Sequence, residues 1–551
     1  MTRFSRRGFM TATAAAFAAG QMPLRGFAQG SPAIALSAQS RTLDIGGRAA
    51  TVYGLSGPSG QGLVLDPGQR FRVDLTNKLD VGTLIHWHGQ IPPNAQDGVP
   101  DLPAPVLAPG EMRSYDFAPQ PGTHWMHSHI PMQEMQLLAA PLIVRRPEDV
   151  AADRQEVVMF LHDFSFSTPE EIMATILEGH GGSHGAEAPP ASGQGGMDHG
   201  SMDHGAMNHG AMTGATTATA PEAQTGMDHS AMGHGAASGA VSGGMAGTAM
   251  SGMDHAAMGH GNMDMSGMDM GGMDMSGMEM DLNDYNWDAY LANDRILSDP
   301  EVVTVERGGR IRLRVINGAA ATVFFIETGR APARLVAVDG HEIVPVSGTR
   351  FGVAMGQRLD LEIDLPAETG AWPILALREG AREQTGIILA NPGAQVAKID
   401  LLAETEAPAF DIDLKQEAGL AAAAPLAARA VQRAQMIMLG GSMSPYRWTI
   451  DGAVWGEHHP VPAITGERVE LTFHNMSMMG HPMHLHGHVF QVVAINNHRF
   501  AGALRDTVYV PPNAAVTVAL DAGEAARWML HCHHMPHLQT GMMAEFRIAA
   551  A

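Results

Sequence analysis

The sequence predicts an all-β fold divided into three consecutive domains. Three observations predict it. Short runs that alternate apolar and polar residues, such as Arg70-Phe71-Arg72-Val73-Asp74-Leu75, recur between Gly, Pro and Asn turn signals. These runs gather in three stretches, residues 35–150, 151–395 and 435–551. A chain of 551 residues is long enough for three or four domains, each with a core of its own.

In the first stretch the strands lie close together. The second opens with Gln155-Glu156-Val157-Val158-Met159-Phe160 and breaks off. It resumes at Asp284-Tyr285-Asn286-Trp287 with runs such as Ile311-Arg312-Leu313-Arg314-Val315 and Leu359-Asp360-Leu361-Glu362-Ile363. His341, after Asp339-Gly340, reads as a turn or surface histidine. Residues 396–434 read as a linker, with some helix in its Ala-rich half. The third stretch contains Glu467-Arg468-Val469-Glu470-Leu471-Thr472-Phe473 and His488-Val489-Phe490-Gln491-Val492-Val493.

The break in the second domain, residues 178–283, has low complexity. Met197-Asp198-His199-Gly200 and Met268-Asp269-Met270-Gly271 are typical of it. Poor in β-branched and aromatic residues, it cannot bury enough apolar surface to offset chain entropy, so it is expected to be disordered when metal-free. It reads either as a flexible linker or as a metal-binding arm. Thioether is a soft ligand that selects Cu(I), and imidazole and carboxylate accompany it throughout. Ser and Gly alone would make a simpler spacer.

Ser5-Arg6-Arg7-Gly8-Phe9-Met10 and the Ala-rich run after it have the form of a twin-arginine export signal. Gly26-Phe27-Ala28 offers a cleavage site, which makes residues 1–28 a signal peptide and the mature protein periplasmic. The run is shorter than the roughly 20 apolar residues a membrane span needs, and no other stretch qualifies. The net charge of −23 argues against nucleic acid and anionic membranes as partners and favours cations. One cysteine excludes an intramolecular disulfide.

That cysteine lies in His531-Cys532-His533-His534-Met535-Pro536-His537, with Met542 ten residues on. A lone thiol is ordinarily a small buried hydrophobe. Here thiolate, imidazole and thioether are three of the four ligands of a blue-copper electron-transfer site. On a strand, Cys532 points one way and His531 and His533 the other, so one strand could serve two metal centres about 10 Å apart along the backbone. His-x-His recurs at His86/His88, His127/His129 and His484/His486, each pair on one strand face. His481, before Pro482, is expected in the preceding loop, aimed elsewhere, as the second imidazole at Cys532.

With these four motifs the sequence resembles the three-domain multicopper oxidases. The export signal, the Met-rich insert and Tyr290-Leu291-Ala292-Asn293-Asp294-Arg295 resemble the bacterial copper-resistance oxidases of the CopA type. The resemblance implies three cupredoxin-like Greek-key β-sandwiches and four copper ions, with a trinuclear cluster between the first and third domains. It assigns His481, Cys532, His537 and Met542 to type 1 copper, and His86 and His484 to type 2. His88, His127, His129, His486, His531 and His533 fall to the type 3 pair. Asp97 matches a carboxylate that relays protons or holds a water near the cluster; otherwise Asp97-Gly98 is a turn. The Glu that some relatives carry before the last type 1 histidine is Pro536 here.

The expected reaction is one-electron oxidation of a donor coupled to reduction of dioxygen to water. Cu(I) is the first-choice donor. Met476, Met478 and Met479 precede His481 and could receive it, or could simply fill the core. A laccase-like phenol oxidase, or a copper-sequestering protein that holds extra ions on the insert, are the alternatives. Other periplasmic copper-handling proteins are the expected partners.

Overall fold

A computed structural model describes residues 32–178, 282, 284–410 and 414–551; residues 1–28, expected to be an export signal, and nearly all of the insert lie outside them. The described residues belong to one compact unit. They form six sheets, two in each third of the chain. The fold is all-β, of cupredoxin-like Greek-key sandwiches.

The three sandwiches repeat one strand plan. In the first, Ile34–Ile45 pairs antiparallel with the strand after it, Arg48–Gly57, and parallel with Phe71–Asn77. Gln155–Phe164 does the same with Ala289–Ala292 and Arg310–Asn317. Arg433–Met443 does so with Tyr446–Ile450 and Arg468–Asn475. Each opposing sheet also holds one parallel pair: Leu63–Leu65 with Ala139–Val144, Val302–Thr304 with Gln384–Ala390, and Val461–Ile464 with Met543–Ala549. The alternating runs become strands because they are buried on one face; Phe71–Asn77, for instance, buries every second side chain.

Aromatic packing closes the first sandwich. Phe71 stacks on Phe117 with ring centroids 4.5 Å apart and meets Trp87 edge-on at 4.7 Å. The second and third sandwiches share one continuous apolar cluster that includes Leu313, Phe324, Phe473 and Val518. Between the first and second, the fully buried Arg314 donates to Thr123 Oγ1 at 2.9 Å, Asp360 Oδ2 at 2.9 Å and Asp149 Oδ2 at 3.2 Å. A buried guanidinium is tolerated only when paired in this way. Lys415–Ala418 is the one helix between the second and third sandwiches among the described residues.

Two features correct or complete the sequence reading. His481 is not in a loop: it begins the strand His481–Leu485, with Pro482 inside it. It points away from His484 because positions three apart on a strand lie on opposite faces. His341 is half-buried and opens the strand His341–Gly348.

Gly98 sits at φ +87°, where a Cβ would lie 1.9 Å from the Ile85 carbonyl oxygen, directly behind His86. Only glycine lets the Asp97 turn approach that strand so closely. Gly98→Ala should therefore cost about 1–3 kcal/mol, visible as a lowered first transition in scanning calorimetry of the metal-free protein.

Candidate metal centres

The strands Arg527–Cys532 and His481–Leu485 pair antiparallel, with Met483 opposite Cys532 and His484 opposite His531. Directly opposed residues share a face, and faces alternate along a strand. Cys532 and His481 therefore emerge on one side of the sheet, and His484, His486 and His531 on the other. Two clusters of buried donors result.

The first cluster gathers Cys532, His481 and His537, all fully buried. Cys532 Sγ lies 3.7 Å from His481 Nδ1 and 3.6 Å from His537 Nδ1, and the two nitrogens are 3.1 Å apart. Pro536 stands at the start of the short helix Met535–Gln539, which brings His537 back towards the thiol. Met542 is fully buried; its N–H donates to His537 O at 3.0 Å and its carbonyl accepts from Cys532 N at 3.1 Å. Each imidazole has a polar group beside its other nitrogen. Ser477 Oγ is 2.8 Å from His481 Nε2, and Asp284 Oδ2 is 3.3 Å from His537 Nε2. Tyr446 donates its hydroxyl to that same Asp284 oxygen. The backbone N–H of His534 points at the sulfur from 3.5 Å. Thiolate, two imidazoles and a nearby thioether make a soft donor set suited to copper.

The second cluster collects eight histidines, none more than 6% exposed. Strands Ile85–His88 and Gly122–Ser128 pair with His86 opposite His127, and they bring four of the eight from the first sandwich. The other four come from the third. They sort into two trios and a pair. The Nε2 atoms of His129, His486 and His531 lie 3.2, 3.4 and 3.0 Å from one another. A point equidistant from all three is about 1.9 Å away from each, close to the ~2.0 Å of a metal–imidazole bond. In the other trio, His88 Nδ1, His127 Nε2 and His533 Nε2 are buried without hydrogen-bond partners. The ring centroids of that trio are 5.1–5.6 Å apart. His86 Nε2 and His484 Nε2 face each other at 3.4 Å. Buried polar atoms are normally paired, so so many converging lone pairs fit metal ions.

The backs of these imidazoles are tied down, which fixes which nitrogen faces inward. His86 Nδ1 donates to Asp97 O at 2.9 Å and His486 Nδ1 to Asp97 Oδ2 at 2.8 Å. Asp97 Oδ1 has no hydrogen-bond partner and lies 3.4 Å from His86 Nδ1. The turn and carboxylate readings of Asp97 thus describe one residue: the turn aims the carboxylate at the cluster. His484 Nδ1 donates to Asp506 O at 2.8 Å, and His531 Nδ1 to Cys532 O at 2.9 Å.

Four supporting residues escaped the sequence reading. Glu134, 1% exposed, touches His127; Asp284 backs His537; Asp506 Oδ1 meets His88 Nε2 at 3.1 Å. Arg358, fully buried in the second sandwich, grips Asp506 at 2.7 and 2.5 Å and donates to Thr123 O at 3.1 Å. Arg505 and Asp506 side by side before Thr507-Val508-Tyr509-Val510 were a usable signal, since charges entering a buried strand need partners. Glu134 and Asp284 left none.

Desolvation dominates the ionisation of both clusters. Burial pushes the Cys532 thiol well up, and it drives His88, His127, His129, His484, His486 and His533 well below the usual imidazole range. Those six imidazoles are therefore neutral and ready to ligate when metal-free, whereas Cys532 is a protonated thiol.

Three multicopper oxidase family models match the chain, over residues 42–149, 262–391 and 429–551. The chain belongs to the multicopper oxidase family, oxidoreductases that use copper in type 1, type 2 and type 3 centres and dioxygen as acceptor. It is 26% identical to multicopper oxidase MmcO of Mycobacterium tuberculosis, over 98% of this chain and 96% of that one. It is 24% identical to copper resistance protein A of Pseudomonas syringae pv. tomato, over 99% of both. Laccase-2 of Botryotinia fuckeliana is 22% identical over 93% of this chain and 81% of its own length. Among solved structures, Fet3p, a multicopper oxidase that functions in iron import, superposes with a TM-score of 0.66 at 14% identity, covering 93% of this chain and 90% of its own. A multicopper oxidase from Pseudomonas thermotolerans gives 0.58 at 20%, covering 94% and 98%. Among the described residues, no helix is long and apolar enough to cross a membrane.

Because the thiol must lose its proton to ligate, loading the metal-free protein should release one proton at the Cys532 cluster. Affinity there should rise about tenfold per pH unit across neutrality. Competition against a chelator of known pH dependence checks this; a flat profile would contradict a protonated resting thiol.

Proposed function

We propose that this oxidase acts on Cu(I) in periplasmic copper resistance, converting it to Cu(II) while dioxygen is reduced to water. Four Cu(I), one O2 and four protons give four Cu(II) and two waters. The observation that carries this reading is the company of the Cys532 cluster. Met476 and Met478, 65% and 56% exposed, stand on the segment that leads into His481. Such exposed thioethers are soft ligands for a cuprous ion rather than core filling. Met479 is different: it is buried and packs in the core. The Met/His/Asp-rich insert and the likeness to copper resistance protein A support the same substrate.

In this reading His481, Cys532 and His537, with Met542 as weak axial donor, hold type 1 copper. His86 and His484 hold type 2, and the two trios hold the type 3 pair. Copper bound there supplies one-electron transfer and dioxygen reduction. The chain supplies the rest. Cys532 joins the two clusters through its own backbone neighbours, His531 and His533. Burial excludes water from both. Asp97, held by His486 through one oxygen, has the other free to carry a proton beside His86. Residues 1–28 as a twin-arginine signal would deliver the folded protein to the periplasm. The domain limits follow as 35–150, 151–395 and 435–551, with 396–434 as linker.

Two measurements test the reading. Cys532→Ser should abolish the intense blue colour and steady turnover and leave the type 2 signal; surviving colour would overturn the ligand assignment. Deleting residues 197–280 should depress Cu(I) oxidation and spare phenol oxidation. Unchanged Cu(I) turnover with a large drop in bound copper would instead make the arm a store. Turnover of phenols alone, indifferent to copper, would make the enzyme a laccase.

A further inference from the structure

The reading of His127 and His533 as type 3 ligands leaves the trio they form with His88 short of one acceptor: His127 Nδ1 has Ser128 O at 3.1 Å, shared with whatever else faces it, and His533 has none. An imidazole that ligates through Nε2 must carry its proton on Nδ1, and a buried N–H needs an acceptor. His88, which ligates through Nδ1, has Asp506 and Thr507 for its other nitrogen, both at 3.1 Å. His533 has no hydrogen-bond partner at either nitrogen.

One group lies in reach of both remaining rings. Glu134 Oε2 is 2.7 Å from His127 Nδ1, and Glu134 Oε1 is 3.8 Å from His533 Nδ1. The carboxylate is 1% exposed, and neither of its oxygens has a hydrogen-bond partner in the metal-free geometry. It comes from the short helix Pro131–Glu134 of the first sandwich, whereas His533 comes from the third. Burying a carboxyl here is costly, and only what it holds offsets that cost.

We propose that Glu134 is a positioning residue, accepting an N–H from His127 with one oxygen and from His533 with the other, so that one carboxylate clamps ligands of two sandwiches onto a single type 3 ion. The inference rests on the ligand reading above. It also says that the requirement is chemical rather than volumetric. A carboxylate accepts twice. The amide of glutamine fills the same space but accepts once, and its NH2 would face the N–H of the other ring.

The test is Glu134→Gln in the full-length, copper-loaded enzyme, washed with chelator, beside Glu134→Ala and His127→Ala. The blue type 1 band reports folding and loading. The near-ultraviolet band and the magnetic coupling of the type 3 pair report the clamp. The Gln variant should keep its blue band, lose the near-ultraviolet band, show an additional paramagnetic copper signal as the pair uncouples, and turn over roughly 10–100-fold more slowly. A Gln variant with the near-ultraviolet band, coupling and turnover of the native enzyme would overturn the proposal, because shape alone would then suffice. If Glu134→Ala does not fold, the isosteric variant still decides. If His127→Ala retains a coupled pair, the ligand assignment fails, not the clamp.

Discussion

Everything in this molecule follows from one antiparallel pairing, Arg527–Cys532 against His481–Leu485. Because side chains on paired strands alternate between faces, a sheet two strands wide delivers sulfur and imidazole to one side and imidazoles alone to the other. A slip of one residue would send every donor to the wrong face. The register is held from outside by Thr507–Val510 on one flank and Met543–Ala549 on the other. The remaining structure presents donors to this pair or keeps water from it.

The second sandwich contributes no donor to either cluster among the described residues. Its part is mechanical and electrostatic. Arg358 reaches from it to Asp506 of the third sandwich and Thr123 of the first, and Asp506 in turn sets the His88 ring. A buried guanidinium held between two neighbouring domains fixes their mutual position more sharply than apolar contact would, since its hydrogen bonds are directional.

Much of this was legible in the chain. The alternating runs located Phe71–Asn77, Arg310–Asn317, Arg358–Asp364 and Arg468–Asn475 to within a residue or two. The four His-x-His motifs and Cys532 named the residues that come together in the two clusters. His481 is Cys532's neighbour as expected but not from a loop: Pro482 takes the second position of an inner strand, paired with Tyr509 on one side and beyond the paired length of Arg527–Cys532 on the other. Of the supporting carboxylates only Asp506 left a signal, beside Arg505 at the entry to a buried strand; Glu134 and Asp284 were not legible. Asp284 meets His537, and Glu134 meets His533, across domains, and no local periodicity encodes a partner for a ring over a hundred positions away.

That separation has a consequence for how the protein is made. His88 and Asp506 are 418 positions apart, and His129 and His531 402. Neither trio of imidazoles exists until the strand Arg527–Cys532 of the third sandwich has docked beside the strands Ile85–His88 and Gly122–Ser128 of the first. Assembly of the imidazole cluster is thereby conditional on the first and third sandwiches folding against each other.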